Sequence, residues 1–194
     1  MLIEEYPQAV PASLCDEIVA CFERDPARRP SAVVAPGGPS AHEVRTGTQL
    51  AIDRANPEWD RLFLAVAPAL RRAVDAYQQK YPGLAALVEW EGLDCTLPLI
   101  ERVDPGQGFN WHYDQTADTK DRRILAGLLY LKTVASGGHT QFLHQNTDVK
   151  PEAGKIVLFP PFWTHIHRGV TPAAGAKYVM SFFWIYPETE PPPP

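Results

Sequence analysis

The feature that most constrains the fold is a change of pattern after Pro82-Gly83. From there on, short apolar segments alternate with turns that are rich in glycine. The apolar segments cover residues 97–103, 124–132, 141–143, 156–159, 164–167 and 177–186. Many short strands separated by turn residues are typical of all-β sandwiches and barrels. We therefore expect a mainly β fold, a double-stranded β-helix or cupin-like jelly roll over about residues 86–187.

The first part of the chain predicts helices instead. A short strand over residues 2–6 precedes a helix over about 13–24, which Ser13 is placed to cap. A longer helix is predicted over 57–80, because apolar residues recur there every three or four positions and Pro57 suits a first helical turn. We expect a single domain over 1–190, with helical support over about 1–85 and a proline-rich tail at 188–194.

Composition excludes several classes of partner. The formal net charge is −5 and basic residues are not clustered, so nucleic acid is not expected as a partner. No run of about eighteen apolar residues occurs, and the N-terminus lacks the pattern of a signal peptide, so no membrane span is expected. Three cysteines, Cys15, Cys21 and Cys95, fit reduced thiols better than a disulfide framework, which favours the cytoplasm.

A His-x-Asp pair, His112 and Asp114, gives the first indication of chemistry. Side chains two residues apart on a strand share a face, so one strand can present both to a single ion. Two histidines and one carboxylate form the facial ligand set of non-haem Fe(II) sites, which leaves other positions open. Taken alone, the pair is also explained as polar residues on a surface strand.

The candidates for a third ligand are His165 and His167, which follow the apolar segment 156–159. On a continuous strand they would face the same side and lie about 6.6 Å apart. Either can then reach the metal, and a facial triad needs only one of them. The residues alone leave this choice open.

Lys177 begins an otherwise apolar predicted strand. Burying a lysine there is costly unless its ammonium meets an anion. The alternative is a lysine at the strand end that extends to water. The first interpretation makes Lys177 a counter-ion for a carboxylate at the bottom of a pocket.

At these residues the sequence resembles the Fe(II)- and 2-oxoglutarate-dependent oxygenases, especially their prolyl-4-hydroxylase-like branch. In that family His-x-Asp and a distal histidine hold the iron, and a Lys or Arg about ten residues later binds the far carboxylate of 2-oxoglutarate. His167 lies ten residues before Lys177, whereas His165 lies twelve before it. The resemblance therefore implies a catalytic iron site made by His112, Asp114 and His167. It implies 2-oxoglutarate binding by Lys177 and keeps His165 as the reserve ligand.

Other segments carry the same resemblance over roughly residues 97–187. Arg123 and the following Tyr130-Leu131 resemble the family's Arg…Tyr-Leu-Asn strand, and residues 137–142 resemble its Gly-Gly-x-Thr-x-Phe turn. The match implies that Tyr130 points into the barrel, where its hydroxyl reaches 2-oxoglutarate. One departure is Val103, which stands where the family usually has a tyrosine that helps to hold the cosubstrate.

The function implied is that of a dioxygenase that uses Fe(II), 2-oxoglutarate and O₂. It would hydroxylate a small-molecule or peptide substrate and release succinate and CO₂. Two other interpretations are a non-catalytic cupin-like module that binds a metal or a small acid, and a zinc hydrolase. Neither the substrate nor the oligomeric state follows from the sequence.

Overall fold

The computed structural model describes residues 2–31, 45–86, 88, 90–115 and 123–186. The predicted proline-rich tail at 188–194 lies outside the described residues. The helices are α1 (Ala12–Arg24), α2 (Pro57–Lys80) and α3 (Pro82–Ala85), with single 3-10 turns at Trp90–Gly92 and Trp163–His165. The strands are β1 (Glu4–Tyr6), β2 (Arg29–Pro30), β3 (Thr48–Ala51), β4 (Asp94–Cys95), β5 (Leu99–Val103), β6 (Phe109–His112), β7 (Arg123–Tyr130), β8 (Thr140–Phe142), β9 (Thr147–Val149), β10 (Ile156–Phe159), β11 (His167–Gly169) and β12 (Lys177–Ile185).

The strands form two antiparallel sheets. The major sheet has eight strands in the order β1-β10-β7-β12-β5-β3-β2, with β4 paired to β12. The minor sheet has four strands in the order β6-β11-β8-β9. Buried side chains from both sheets meet in one apolar cluster, which includes Tyr130 and Phe159 from the major sheet and Phe142 from the minor sheet. Two stacked sheets of this kind make a jelly roll, so the predicted fold class is confirmed.

Helix α2 covers the other face of the major sheet. Asn56 caps it, because its side chain accepts a hydrogen bond from the backbone N–H of Glu58, and Pro57 occupies the first turn as predicted. The predicted apolar stripe is buried at Trp59, Leu62, Val66, Leu70, Val74 and Tyr77. Among the described helices, none combines the length and the apolar character that a membrane span needs.

Helix α1 forms where expected, but its predicted cap is wrong. The helix begins at Ala12 after Pro11, and no side chain caps it. The backbone carbonyl of Pro11 accepts hydrogen bonds from the N–H groups of Leu14 and Cys15. Ser13 therefore lies inside the first turn rather than at the boundary.

The predicted strand over residues 164–167 is also wrong. Trp163–His165 form a 3-10 turn, in which the N–H of His165 donates to the carbonyl of Phe162 at 2.8 Å. Strand β11 begins only at His167. His165 and His167 therefore do not share a strand face, which bears directly on the choice of a third ligand.

Candidate metal centre

Two side chains on strands of the minor sheet and one just beyond β6 converge at one point, so the expectation that one strand presents both His112 and Asp114 is wrong for Asp114. His112 ends β6, Asp114 follows two residues later, and His167 begins β11. Strand β11 pairs with β6 so that His167 lies opposite His112, which brings residues 55 positions apart together. The Nε2 atom of His112 lies 3.6 Å from Asp114 Oδ1, and the Nε2 atom of His167 lies 3.8 Å from Asp114 Oδ2.

One coordinating atom from each of these residues lies within 4.8 Å of the other two. Within the described part of the chain, no other group of three His, Cys, Asp or Glu side chains is arranged in this way. Two imidazoles and a carboxylate with free space beside them are the donor set of non-haem Fe(II) sites. The residues therefore fit the metal that the sequence analysis expected.

The Nδ1 atoms of His112 and His167 are each hydrogen-bonded to a backbone carbonyl oxygen. His112 Nδ1 lies 2.7 Å from the carbonyl oxygen of Asn110, and His167 Nδ1 lies 2.9 Å from that of His165. A carbonyl only accepts, so each Nδ1 carries the proton and each Nε2 keeps its lone pair for the centre. Phe109 stacks on the ring of His112 at a centroid distance of 3.5 Å and further fixes its orientation.

The carboxyl group of Asp114 is held in its charged form. Burial raises the pKa of Asp114, but the neighbouring His167, His112 and Arg123 outweigh burial, so the pKa lies below its usual value. Arg123 also donates a hydrogen bond to the backbone carbonyl of Asp114. A carboxyl group has to be deprotonated to bind a metal ion, and this environment favours the deprotonated form of Asp114.

The structure brings His167, and not His165, to this group. His165 is buried elsewhere, with its Nδ1 atom 3.0 Å from the hydroxyl oxygen of Thr164. Burial, with a further contribution from His167, lowers the pKa of His165 to about 4. Its contact with the centre is made by its backbone carbonyl, which orients His167.

A cavity of about 530 Å³ opens beside the three side chains and runs between the two sheets. His112, Asp114 and His167 line one part of it, and Lys177 lines another. Lys177 is the first residue of β12 and is only 4% exposed. The cavity therefore joins the candidate metal site to the lysine that the sequence analysis selected.

Lys177 is a buried cation whose amine faces this cavity. Among the described residues, no carboxylate oxygen lies within 4.0 Å of its Nζ atom. Burial lowers the pKa of Lys177 to about 8, and the charge of Glu101 only partly opposes this effect. An entering carboxylate would supply the missing counter-charge.

Tyr130 lies next to Lys177 but does not line the cavity. Its ring centroid is 5.3 Å from Lys177 Nζ, and its hydroxyl donates to Thr140 Oγ1 at 2.7 Å. The predicted contact between this hydroxyl and 2-oxoglutarate stays a prediction. Val103 does line the cavity, so the hydroxyl that a tyrosine would offer at this position is absent.

The cavity wall contains a buried ion pair that the sequence did not predict. Glu101 on β5 is 7% exposed and binds the guanidinium of Arg45 through both carboxylate oxygens. Ser31 Oγ donates a third hydrogen bond to Glu101 at 3.2 Å. The only sequence signal was a glutamate within an apolar strand, since its partner lies 56 residues away.

The second half of the chain is similar in sequence to known proteins. Residues 99–186 match the model of the 2OG-Fe(II) oxygenase superfamily. A putative prolyl 4-hydroxylase of Acanthamoeba polyphaga mimivirus is 27% identical in an alignment of 103 positions that covers 44% of this chain and 43% of that protein. The chain spans about two fifths of the length of the curated relatives that it matches.

Solved structures show the same fold over nearly the whole chain. The viral collagen prolyl hydroxylase of Paramecium Bursaria Chlorella virus-1, in complex with 2OG, superposes with a TM-score of 0.66, 17% identity and 97% coverage of both chains. A prolyl hydroxylase of Trichoplax adhaerens, bound to a peptide fragment of the hypoxia inducible factor oxygen degradation domain, gives a TM-score of 0.69 and 14% identity. That match covers 95% of this chain and 83% of the other.

Proposed function

We propose that the chain is a member of the 2OG-Fe(II) oxygenase superfamily, whose model matches residues 99–186, and that it is an Fe(II)- and 2-oxoglutarate-dependent dioxygenase that hydroxylates its substrate. The observation that carries the proposal is that one cavity contains both a two-histidine, one-carboxylate group and a buried lysine whose amine, among the described residues, meets no carboxylate. When bound, Fe(II) would activate O₂, the oxidant, and 2-oxoglutarate would supply two electrons as it is oxidised to succinate and CO₂.

The chain contributes binding, orientation and exclusion of water. His112, Asp114 and His167 would hold the metal on one face, and their hydrogen bonds fix the ring orientations before it arrives. Lys177 would bind the distal carboxylate of 2-oxoglutarate. Leu128 and Phe183 add apolar surface to the same cavity, which favours a dry site.

We propose a peptide containing a prolyl residue as the first substrate to test, and a small molecule as the second. Support comes from the relative described as a putative prolyl 4-hydroxylase and from the similar hydroxylase that was solved with a bound peptide. We also keep the cytoplasm as the proposed compartment, because all three cysteines are free thiols. Immunolocalisation of the tagged protein checks the compartment.

The test of activity measures succinate formation from 2-oxoglutarate in the presence of Fe(II), ascorbate and O₂. We expect turnover by the wild type, even without substrate, and its loss in His112→Ala. His144→Ala is the matched control, because this exposed histidine lies outside the metal group. If the wild type binds 2-oxoglutarate but releases no succinate, the protein is a binding module and the proposed activity is wrong.

A metal titration separates the two distal histidines. We expect His167→Ala to lose Mn(II) affinity, because its Nε2 atom points at Asp114. We expect His165→Ala to keep it, because the backbone carbonyl that orients His167 survives the substitution. Loss of Mn(II) affinity in His165→Ala alone would reverse the assignment of the third ligand.

A further inference from the structure

Glu101 and Lys177 lie on adjacent strands and face the same cavity. In the pairing of β12 with β5, Lys177 is opposite Val103 and Val179 is opposite Glu101. All four of these residues line the cavity. Glu101 and Lys177 are therefore diagonal neighbours on one sheet face, at a separation of roughly 7–8 Å that long side chains can bridge. The charge of Glu101 already acts on Lys177.

Arg45 binds Glu101, and neither oxygen of the Glu101 carboxylate lies within 4.0 Å of Lys177 Nζ. The Nε and Nη2 atoms of Arg45 donate to the two carboxylate oxygens of Glu101, and both side chains are largely buried, with 13% and 10% exposure. This two-point contact occupies both oxygens of the carboxylate, whereas a single hydrogen bond occupies only one. Ser31 adds a third donor.

We infer that Arg45 is a positioning residue: by holding Glu101, it leaves the amine of Lys177 open to the distal carboxylate of 2-oxoglutarate. This inference rests on the proposed function, because it assumes that 2-oxoglutarate is the anion that Lys177 binds. Arg45 itself need not touch the cosubstrate. Its effect passes through Glu101.

The charges of the three residues explain why Arg45 is needed. Arg45, Glu101 and protonated Lys177 together carry one net positive charge, which matches the single distal carboxylate of 2-oxoglutarate. Without Arg45 the net charge of the remaining pair is zero. A buried carboxylate left without its partner is strongly unfavourable, so Glu101 would turn to Lys177, the buried cation on which its charge already acts. An incoming carboxylate would then meet repulsion from Glu101 and compete with it.

The experiment measures ligand binding rather than turnover, by calorimetric titration of the Mn(II)-loaded protein without oxygen. One ligand is 2-oxoglutarate, and the other is 2-oxobutanoate, which has the same keto acid end but no distal carboxylate. We expect Arg45→Gln to weaken 2-oxoglutarate binding by roughly tenfold or more and to leave 2-oxobutanoate binding unchanged. Removing the competing carboxylate as well, in Arg45→Gln/Glu101→Gln, should restore 2-oxoglutarate affinity to within about threefold of the wild type.

Control variants separate this effect from general damage to the fold. Arg71→Gln makes the same chemical change on the exposed face of α2 and should leave both affinities unchanged. Arg45→Lys keeps the charge but not the two-point contact, so it should weaken 2-oxoglutarate binding by an intermediate factor. If Arg45→Gln does not fold, Arg45→Lys and the double variant still carry the comparison.

Two results would overturn the inference. The first is that Arg45→Gln or Arg45→Lys weakens the binding of 2-oxoglutarate and of 2-oxobutanoate equally. The second is that the double variant binds 2-oxoglutarate no more tightly than Arg45→Gln does, or than Arg45→Lys does if Arg45→Gln does not fold. A failure of the proposed function gives a different result. In that case the wild type does not bind 2-oxoglutarate, or Lys177→Ala binds it as tightly as the wild type does. The two failures are therefore distinguishable in one set of titrations.

Discussion

The two faces of the major sheet bury different chemistry, although the same strands supply both. The face toward α1 and α2 is apolar and includes Ile100, Leu129 and Phe182. The face toward the minor sheet contains the charged groups Glu101 and Lys177 together with the cavity. The first face stabilises the fold by apolar burial, whereas the second combines an apolar cluster with charged groups that are costly to bury.

Strand β12 shows how the alternation of side chains produces this division. Lys177, Val179, Ser181 and Phe183 line the cavity. Met180, Phe182 and Trp184 belong to the cluster packed against the helices. Because neighbouring residues point to opposite faces, a shift in pairing by one residue would exchange the two environments. The register of β12 therefore fixes both the core and the site.

Asp114→Ala, a substitution on the cavity side, is expected to have the largest effect on activity and little effect on stability. The variant loses the carboxylate that both imidazoles face, so we expect succinate formation to fall by at least about a thousandfold. The free energy of unfolding without metal should stay within about 1 kcal/mol of the wild type. Thermal unfolding with Mn(II) adds a direct readout, since the metal should stabilise only the wild type. Stabilisation of Asp114→Ala by Mn(II) would contradict the site.

The next effect compares adjacent residues that face opposite sides of the same strand. Phe182 is fully buried against the helices, whereas Phe183 lines the cavity beneath Arg123. We expect Phe182→Ala to lower the free energy of unfolding by about 3–5 kcal/mol while the folded fraction keeps its affinity for 2-oxoglutarate. Phe183→Ala should cost clearly less stability but change kcat/KM. Urea unfolding and ligand titration measure both quantities, and equal stability losses would argue against two distinct faces.

Because burying the charged amine of Lys177 is costly, we expect the free energy of unfolding to depend on pH. The pKa of Lys177 is about 8 in the folded protein and 10.5 when unperturbed, so the unfolded chain binds more protons between these values. Stability contributed by this residue therefore rises with pH from about 8 to 10.5, by up to roughly 3 kcal/mol. Lys177→Met removes the titration at similar length. We expect the difference in unfolding free energy between the wild type and this variant to change over that range, and parallel pH curves would contradict it.

The helix side was the part of the fold that the sequence predicted best. Helix α2 spans residues 57–80 as predicted, because a 3.6-residue apolar period, Asn56 and Pro57 all act locally. The pair His112 and Asp114 was recognised from its two-residue spacing, which is also a local signal, although β6 ends at His112 and Asp114 lies beyond the strand. Local signals of this kind do not depend on tertiary pairing.

The parts that the sequence did not predict depend on distant contacts. The 3-10 turn at Trp163–His165 replaced a predicted strand through one backbone hydrogen bond, which the apolar pattern does not encode. The bond between Arg45 and Glu101 joins β5 to a residue far along the chain. The resemblance to a family selected His167 over His165, whereas the residues alone left both open. Strand pairing between β6 and β11 supplies the geometric reason.

The smallest effect is expected at Tyr130, which belongs to the apolar cluster between the two sheets, next to the cavity residue Lys177. Its hydroxyl donates to Thr140, which is also buried, so Tyr130→Phe should lower the free energy of unfolding by about 1 kcal/mol. Thr140→Val is the matched control, because it removes the other half of the same hydrogen bond. If the hydroxyl serves only Thr140, both variants bind 2-oxoglutarate within about threefold of the wild type. A clear loss of affinity in Tyr130→Phe alone would place this hydroxyl on the cosubstrate, as the family resemblance implies. Tyr130 would then belong to the site rather than to the core behind it.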